Sequence, residues 1–230
     1  SYWCQGYSEP NAGSDLANVQ TKATLEGDKW IIHGQKIWTS LAEWADWCFV
    51  LCRTDQEAKK HRGLSYILVP MNQSEIELRS IRQMTGSSEF SEVFFDGATS
   101  SKENIVGDVN GGWRIAMATL AFERGVSTLG QQIGFENELQ MVMERAKQNG
   151  KSKDPVIRDR LSQMHMELKI MRLNALRTLS RTDQKELSRE GMINKLYWAT
   201  WHRNLGELAM EIMGEEGSLI AGDGYALHPL

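Results

Sequence analysis

Gly6-Tyr7-Ser8-Glu9-Pro10-Asn11-Ala12-Gly13-Ser14-Asp15 is the stretch on which the reading of this 230-residue chain turns. Two glycines, a proline and a hydroxyl-carboxylate pair fall within ten positions. Such a run makes a shaped loop with little side-chain bulk and many backbone N–H groups. It can hold an anion or a flat ring. Residue types alone leave its role open, because glycine, serine and asparagine also fill ordinary turns.

The order of the residues is more specific than their types. The run from Tyr7 to Asp15 resembles, in register, the first signature of the acyl-CoA dehydrogenases. A second block, Gly34-Gln35-Lys36-Ile37-Trp38-Thr39-Ser40, resembles that family's second flavin-contacting strand. The resemblance continues through Gly111-Gly112-Trp113 and Phe122-Glu123-Arg124, so it covers most of the chain.

That resemblance implies FAD as cofactor, because no amino-acid side chain accepts a hydride. It assigns Gln5, Tyr7, Ser8, Trp38, Thr39 and Ser40 to flavin contacts, and Ser14 and Arg124 to the acyl-CoA thioester. Read only as a strand residue, Trp38 would be a core aromatic, and Ser8 and Ser14 would be turn hydroxyls. The resemblance also implies an electron-transfer flavoprotein as acceptor and assembly into a homo- or hetero-oligomer.

Dehydrogenation between the α and β carbons of a thioester needs a base for the α-proton. Glu123 is the candidate, in Met117-Ala118-Thr119-Leu120-Ala121-Phe122-Glu123-Arg124. An apolar approach of this kind raises a carboxylate pKa if the group faces a dry pocket. Without the resemblance it would be an exposed helix glutamate. Family members place the base at one of two positions, and Glu123 before Arg124 matches the isovaleryl and long-chain type.

Two segments depart from the family pattern. The expected adenine-side glutamine and paired glycines read Glu211-Ile212-Met213-Gly214-Glu215-Glu216-Gly217, and the expected arginine-phenylalanine segment reads Lys147-Gln148-Asn149-Gly150. The first adds negative charge and the second removes a contact. Both weigh against an ordinary homotetrameric FAD site. The alternative is a noncatalytic or half-site subunit of a heteromeric acyl-CoA dehydrogenase.

Composition sets outer bounds. With 41% hydrophobic and 24% charged residues, a formal charge of -4 and a pI near 5.8, the chain reads as globular, with no basic footprint for nucleic acid and no bilayer-length apolar run. Cys4, Cys48 and Cys52 lack metal-ligand spacing, and His33, His165 and His202 are isolated, so no metal site is expected. No secretory h-region precedes the cysteines, which points to a reducing compartment, the bacterial cytoplasm before the mitochondrial matrix. Lys59-Lys60-His61-Arg62 reads as a solvated loop, or as attraction for the phosphate-rich end of coenzyme A.

The expected fold class is α+β. Residues 1–107 should form an acyl-CoA dehydrogenase-like middle β domain and residues 108–230 an antiparallel helical bundle, incomplete at its end. Strands are expected at Thr21 to Leu25 and Lys29 to His33 about a Gly27-Asp28 turn, then at Ala45 to Arg53, Leu64 to Pro70, Ile76 to Arg82 and Glu92 to Phe95. Helices are expected from Gly112 to Gln148, from Pro155 to Thr182 and from Gln184 to Met213. The second carries a seam of Ile157, Leu161, Met164, Leu168, Met171, Ala175 and Leu179, and the third one of Leu196, Tyr197, Leu205, Leu208 and Ile212. Because the sequence opens on Ser1 just before a functional loop, it reads as part of a longer product whose N-terminal helical domain lies outside it.

Overall fold

The period-2 alternation after Gln20 folds as strands around the turn its glycine allows. Lys22–Glu26 (β2) and Lys29–Ser40 (β3) pair antiparallel across Gly27-Asp28, with Gly27 at φ 60°. Trp47–Arg53 (β4), Leu64–Pro70 (β5), Ile76–Ile81 (β6) and Phe90–Ser101 (β7) follow. Together with Trp3–Gly6 (β1) they form a seven-stranded sheet in the order β1-β4-β2-β3-β7-β6, with β5 on β4. The strand expected at Glu92 to Phe95 lies in the first half of the twelve-residue β7. β1 was not foreseen: its four residues pair parallel to β4, so no hairpin turn announces them.

This computed structural model describes residues 1–126, 128–180 and 189–219. Within them the chain separates into two compact units, Ser1–Thr119 and Leu120–Leu230. The core of the first is made by inward positions of the strands, among them Cys4, Trp30, Ile32, Cys48, Val50, Cys52, Ile67, Val69, Val93 and Phe95. All three cysteines are free and buried there. Gly112, at the start of Gly112–Val126 (α1), lies so near β5 that a Cβ would come within 2.4 Å of the Ser65 backbone. Only glycine permits that approach.

Thr128–Gln148 (α2) follows α1 across Ser127, which lies outside the described residues. Gly150, at φ 80°, turns the chain, and Asp154 caps Pro155–Leu179 (α3) by accepting from the Val156 N–H at 2.8 Å. The last long helix is Arg189–Met213 (α4). The ends expected at Thr182 and Gln184 lie outside the described residues.

Cross-links between helices give their directions. Glu136, in the first half of α2, pairs with Lys169 and Arg172, in the second half of α3, and the short turn at Gly150 joins the end of α2 to the start of α3, so these two run antiparallel. Trp201 Nε1 donates to Met164 O at 2.9 Å while Arg160 reaches Glu211, so α3 and α4 are antiparallel as well. The expected α3 seam is buried from Ile157 to Ala175, with Leu179 half-buried. The expected α4 seam needs one correction. Leu196 is 75% exposed, and Trp201 fills the core instead. The buried positions Trp201, Leu205, Leu208 and Ile212 step by four, three and four residues, and Leu196 stands five before the first, about 140° round the helix. Among the described residues no helix is long and apolar enough to cross a membrane.

Candidate functional site

The Gly6–Asp15 loop is held from both ends by one carboxylate. The Glu9 side chain is buried, and its Oε2 accepts from Gln20 N–H at 2.6 Å while Oε1 accepts from Thr21 N–H at 2.9 Å. The Glu9 and Ala12 backbones exchange hydrogen bonds of 3.2 and 3.0 Å across the Pro10-Asn11 turn. These bonds close the loop, leaving Asn11, Gly13, Ser14 and Asp15 exposed. Asp15 pairs with Lys60 at 3.5 Å, both ends solvated, which brings the exposed Lys59-Lys60-His61-Arg62 cluster beside the loop.

Oε1 of Glu9 also meets Lys36. The Lys36 side chain is wholly buried, and Nζ donates to Leu51 O at 2.7 Å, Glu9 Oε1 at 2.8 Å and Tyr7 O at 2.9 Å. An ammonium has three N–H donors, so each has a partner. Burial pulls the Lys36 ammonium below its ordinary value despite the nearby Glu9 charge. Burial alone would push the Glu9 carboxyl up, but the Lys36 charge and the hydrogen bonds it accepts outweigh that and hold it low.

β3 carries the second block, and a bulge in it decides which way its side chains face. Opposite β7 the register runs Lys36 to Val93 and then Thr39 to Ser91, so β3 gains one residue between two paired positions. Up to that point Trp30, Ile32 and Lys36 share the inward phase. The extra residue moves the inward phase to Thr39. Trp38, which would otherwise follow Lys36 inward, is 57% exposed, and Ser40 is exposed on the same side. Trp38 adopts φ 59°, a left-handed conformation rare for a bulky residue, and meets Phe90 edge-on at 6.1 Å. Ile37 N–H donates to Ser8 O at 2.9 Å, joining the bulge to the loop.

The structure thus brings Ser8, Trp38, Thr39 and Ser40 into one region. Tyr7 differs from an open ligand contact. Its ring is buried edge-on against Phe49 and Tyr66, its hydroxyl lies 3.3 Å from the Tyr66 hydroxyl, and its carbonyl is taken by Lys36. Gln5 is half-buried in β1, opposite Phe49 of β4. Thr39 is fully buried, and its Oγ1 has no hydrogen-bond partner among the described residues. Glu123 and Arg124 are helical in α1, in the second unit, and their side chains lie outside the described residues.

The buried Glu9-Lys36 pair was not assigned a role from sequence, although both residues lie in the quoted blocks. The available signal was Lys36 itself, a lysine in phase with Trp30 and Ile32 on an amphipathic strand.

At the end of the helical unit the two departing segments meet. Asn149 Nδ2 donates to Ile212 O at 2.8 Å, and Lys151 Nζ donates to Glu211 O at 3.1 Å. Glu211 pairs with Arg160, and Glu216 with Arg145. Glu211 and Glu216 are therefore countered within the chain.

Comparison with known proteins agrees with this arrangement. A family model for the acyl-CoA dehydrogenase middle domain matches residues 4–98, and one for the acyl-CoA dehydrogenase C-terminal domain matches residues 110–228. The chain is 53% identical over 215 residues to acyl-CoA dehydrogenase IpdE1 of Mycobacterium tuberculosis (strain ATCC 25618 / H37Rv), covering 94% of this chain and 56% of that protein. It thus spans about half the length of the curated relatives it matches. Among solved structures it is similar to the Tcur3481-Tcur3483 steroid ACAD, with TM-score 0.88 and 30% identity over 98% of this chain and 59% of that one. It is also similar to the ChsE4-ChsE5 complex from Mycobacterium tuberculosis, with TM-score 0.82 and 27% identity over 95% of this chain and 57% of that one. The folded middle β region, the helical bundle and both family-model matches make this chain a member of the acyl-CoA dehydrogenase family.

Proposed function

We propose that this chain supplies the middle β domain, over residues 1–107, and much of the C-terminal helical domain, over residues 108–230, of a FAD-dependent acyl-CoA dehydrogenase. The observation that carries the reading is the β3 bulge. It turns a large aromatic and a hydroxyl outward at Trp38 and Ser40, beside the loop that bears Ser8 and Ser14. A flavin ring fits such a surface, since Trp38 offers a flat apolar face and Ser40 a donor within two residues. The Thr39 hydroxyl behind them, buried and without a hydrogen-bond partner among the described residues, is a polar group that an ordered water could satisfy. When bound, FAD would accept the hydride from the β carbon.

The remaining work falls to the chain. Ser8, Trp38 and Ser40 hold and orient the ring, with Gln5, Tyr7 and Thr39 supporting them from within the fold. Ser14 binds the thioester from the exposed end of the loop, and the basic residues near Lys60 attract its phosphates. Glu123 takes the α-proton and Arg124 lies at the substrate site, as the sequence match supports. The 30% identical relative described as a steroid ACAD supports a bulky, steroid-derived acyl group. An electron-transfer flavoprotein, in the bacterial cytoplasm, is the proposed acceptor.

A second reading is favoured by the contacts at the bundle end. If the Lys147–Gly150 and Glu211–Gly217 segments bind each other, they offer less to a neighbour's adenine, and the chain would be the half-site subunit of a heteromer. The solved relatives described as a ChsE4-ChsE5 complex and as Tcur3481-Tcur3483 support that assembly. The visible flavin spectrum of the full-length protein, purified alone and with its partner, separates these cases. One FAD per chain alone supports the complete enzyme, FAD only with a partner supports the half-site reading, and no FAD in either preparation overturns both.

A further inference from the structure

The Glu9-Lys36 pair joins the two segments assigned to the flavin, and nothing in the chemistry of dehydrogenation calls for it. A buried ion pair is weak evidence for stability, because desolvation offsets much of the attraction and an apolar pair of similar volume is often as stable. Its distinguishing property is direction. The Lys36 ammonium fixes one arrangement of its three acceptors and ties β3 to two other segments: Tyr7 O and Glu9 Oε1 in the loop, and Leu51 O in β4.

Both flanks of the pair lead directly to the ligand side. On one flank Lys36 is the last regularly paired residue before the bulge that turns Trp38 outward. On the other, Tyr7 and Glu9 bracket Ser8, and Glu9 holds the loop closed through Gln20 and Thr21. The bond from Ile37 N–H to Ser8 O crosses the same gap. Moving either charged group therefore changes the spacing between Ser8 and Trp38 without touching a ligand atom.

We propose that Glu9 and Lys36 are positioning residues, a buried strut that fixes the distance between the Gly6–Asp15 loop and the Trp38–Ser40 bulge so that both meet one flavin ring. This rests on the flavoprotein reading above. Replacing both charged groups by uncharged ones removes the buried charges but does not restore the spacing, so stability and flavin binding separate.

The test compares the full-length protein, with its partner subunit where one is required, as wild type, Glu9→Gln, Lys36→Met and the double variant. Thermal unfolding of the FAD-stripped forms is measured beside FAD affinity and the visible circular dichroism of the bound flavin. Glu9→Gln leaves the buried Lys36 charge without its counter-charge, and Lys36→Met takes the shared donor from Glu9 Oε1, Tyr7 O and Leu51 O, so each should lose both stability and FAD. The double variant holds no unpaired charge and should recover part of the stripped-form stability, above either single variant, but keep an FAD affinity weakened by at least about tenfold, with an altered flavin dichroism. A Glu9→Asp variant keeps the charge pair on a shorter arm, so it should stay folded and weaken FAD in the same way; it decides the matter if the double variant does not fold. Wild-type affinity and dichroism in a folded double variant, or in Glu9→Asp, overturns the inference and leaves the flavoprotein reading intact. Wild-type protein that takes up no FAD overturns both.

Discussion

Replacing Trp38 with glycine tests the bulge by energy. Several effects oppose one another at this position. The left-handed backbone at φ 59° costs an L-residue about 1–2 kcal/mol, which glycine recovers. Glycine gives back about 0.5–1 kcal/mol through the greater entropy of the unfolded chain. Loss of the edge-on contact with Phe90 removes a further ~0.5–1.5 kcal/mol. With the residue 57% exposed, the part still covered adds a loss of about 1.5–3 kcal/mol, and the sum is a loss of about 0.5–4.5 kcal/mol. A tryptophan wholly buried in ordinary extended backbone would forfeit its full area with no left-handed strain to recover, a loss of about 5 kcal/mol or more. Urea unfolding of the flavin-free protein measures the difference directly, and flavin absorbance of the same preparation reads the site. The expected result is a loss of stability below about 5 kcal/mol with weakened flavin retention. A loss above about 5 kcal/mol in the flavin-free form would refute the outward placement of Trp38.

Other outcomes follow from the same geometry. Because the Glu9 carboxyl is held below its ordinary value of 4.5, its contribution to stability is present above that pH and is lost as pH falls through the lower, folded value. Glu9→Gln protein, though weaker at neutral pH, should therefore lose less stability than wild type between pH 5 and 3 in acid titrations followed by circular dichroism; equal slopes would contradict the pairing. Gly112→Ala places a Cβ about 2.4 Å from the Ser65 backbone and should cost at least ~1–3 kcal/mol in chemical unfolding, whereas a neutral effect would mean that α1 does not approach β5 so closely. In α4, Trp201→Ala should cost about 3–5 kcal/mol and Leu196→Ser less than about 0.5 kcal/mol, a contrast that reverses if Leu196 rather than Trp201 fills the bundle core.

Most of the strands and helices were legible because one period runs through much of their length. Trp30 and Ile32 mark β3, and Ile157, Leu161, Met164, Leu168 and Met171 mark α3. The bulge was not legible, because the extra residue between Lys36 and Thr39 exists only relative to β7, some fifty positions away in the chain. Burial of Lys36 was hidden for the same reason: its counter-charge is 27 residues distant and brought near only by the closed loop. On α4 a local count admitted Leu196, while the choice of face was made by Met164 O accepting from Trp201 on another helix. The loop's chemistry was read through the order of its residues, since the types alone fit any turn.

The central claim is tested most directly by mixing acyl-CoA anaerobically with the full-length protein, assembled with any natural partner, and following flavin absorbance. Wild type should bleach. Glu123→Gln keeps the shape and hydrogen-bonding reach of the side chain without its basic carboxylate. It should retain flavin and bind the thioester, yet reduce the flavin at least about a hundredfold more slowly. Reduction by Glu123→Gln at the wild-type rate would contradict the assignment of Glu123 as the base, and a wild-type flavin that no acyl-CoA reduces would contradict the proposed reaction itself.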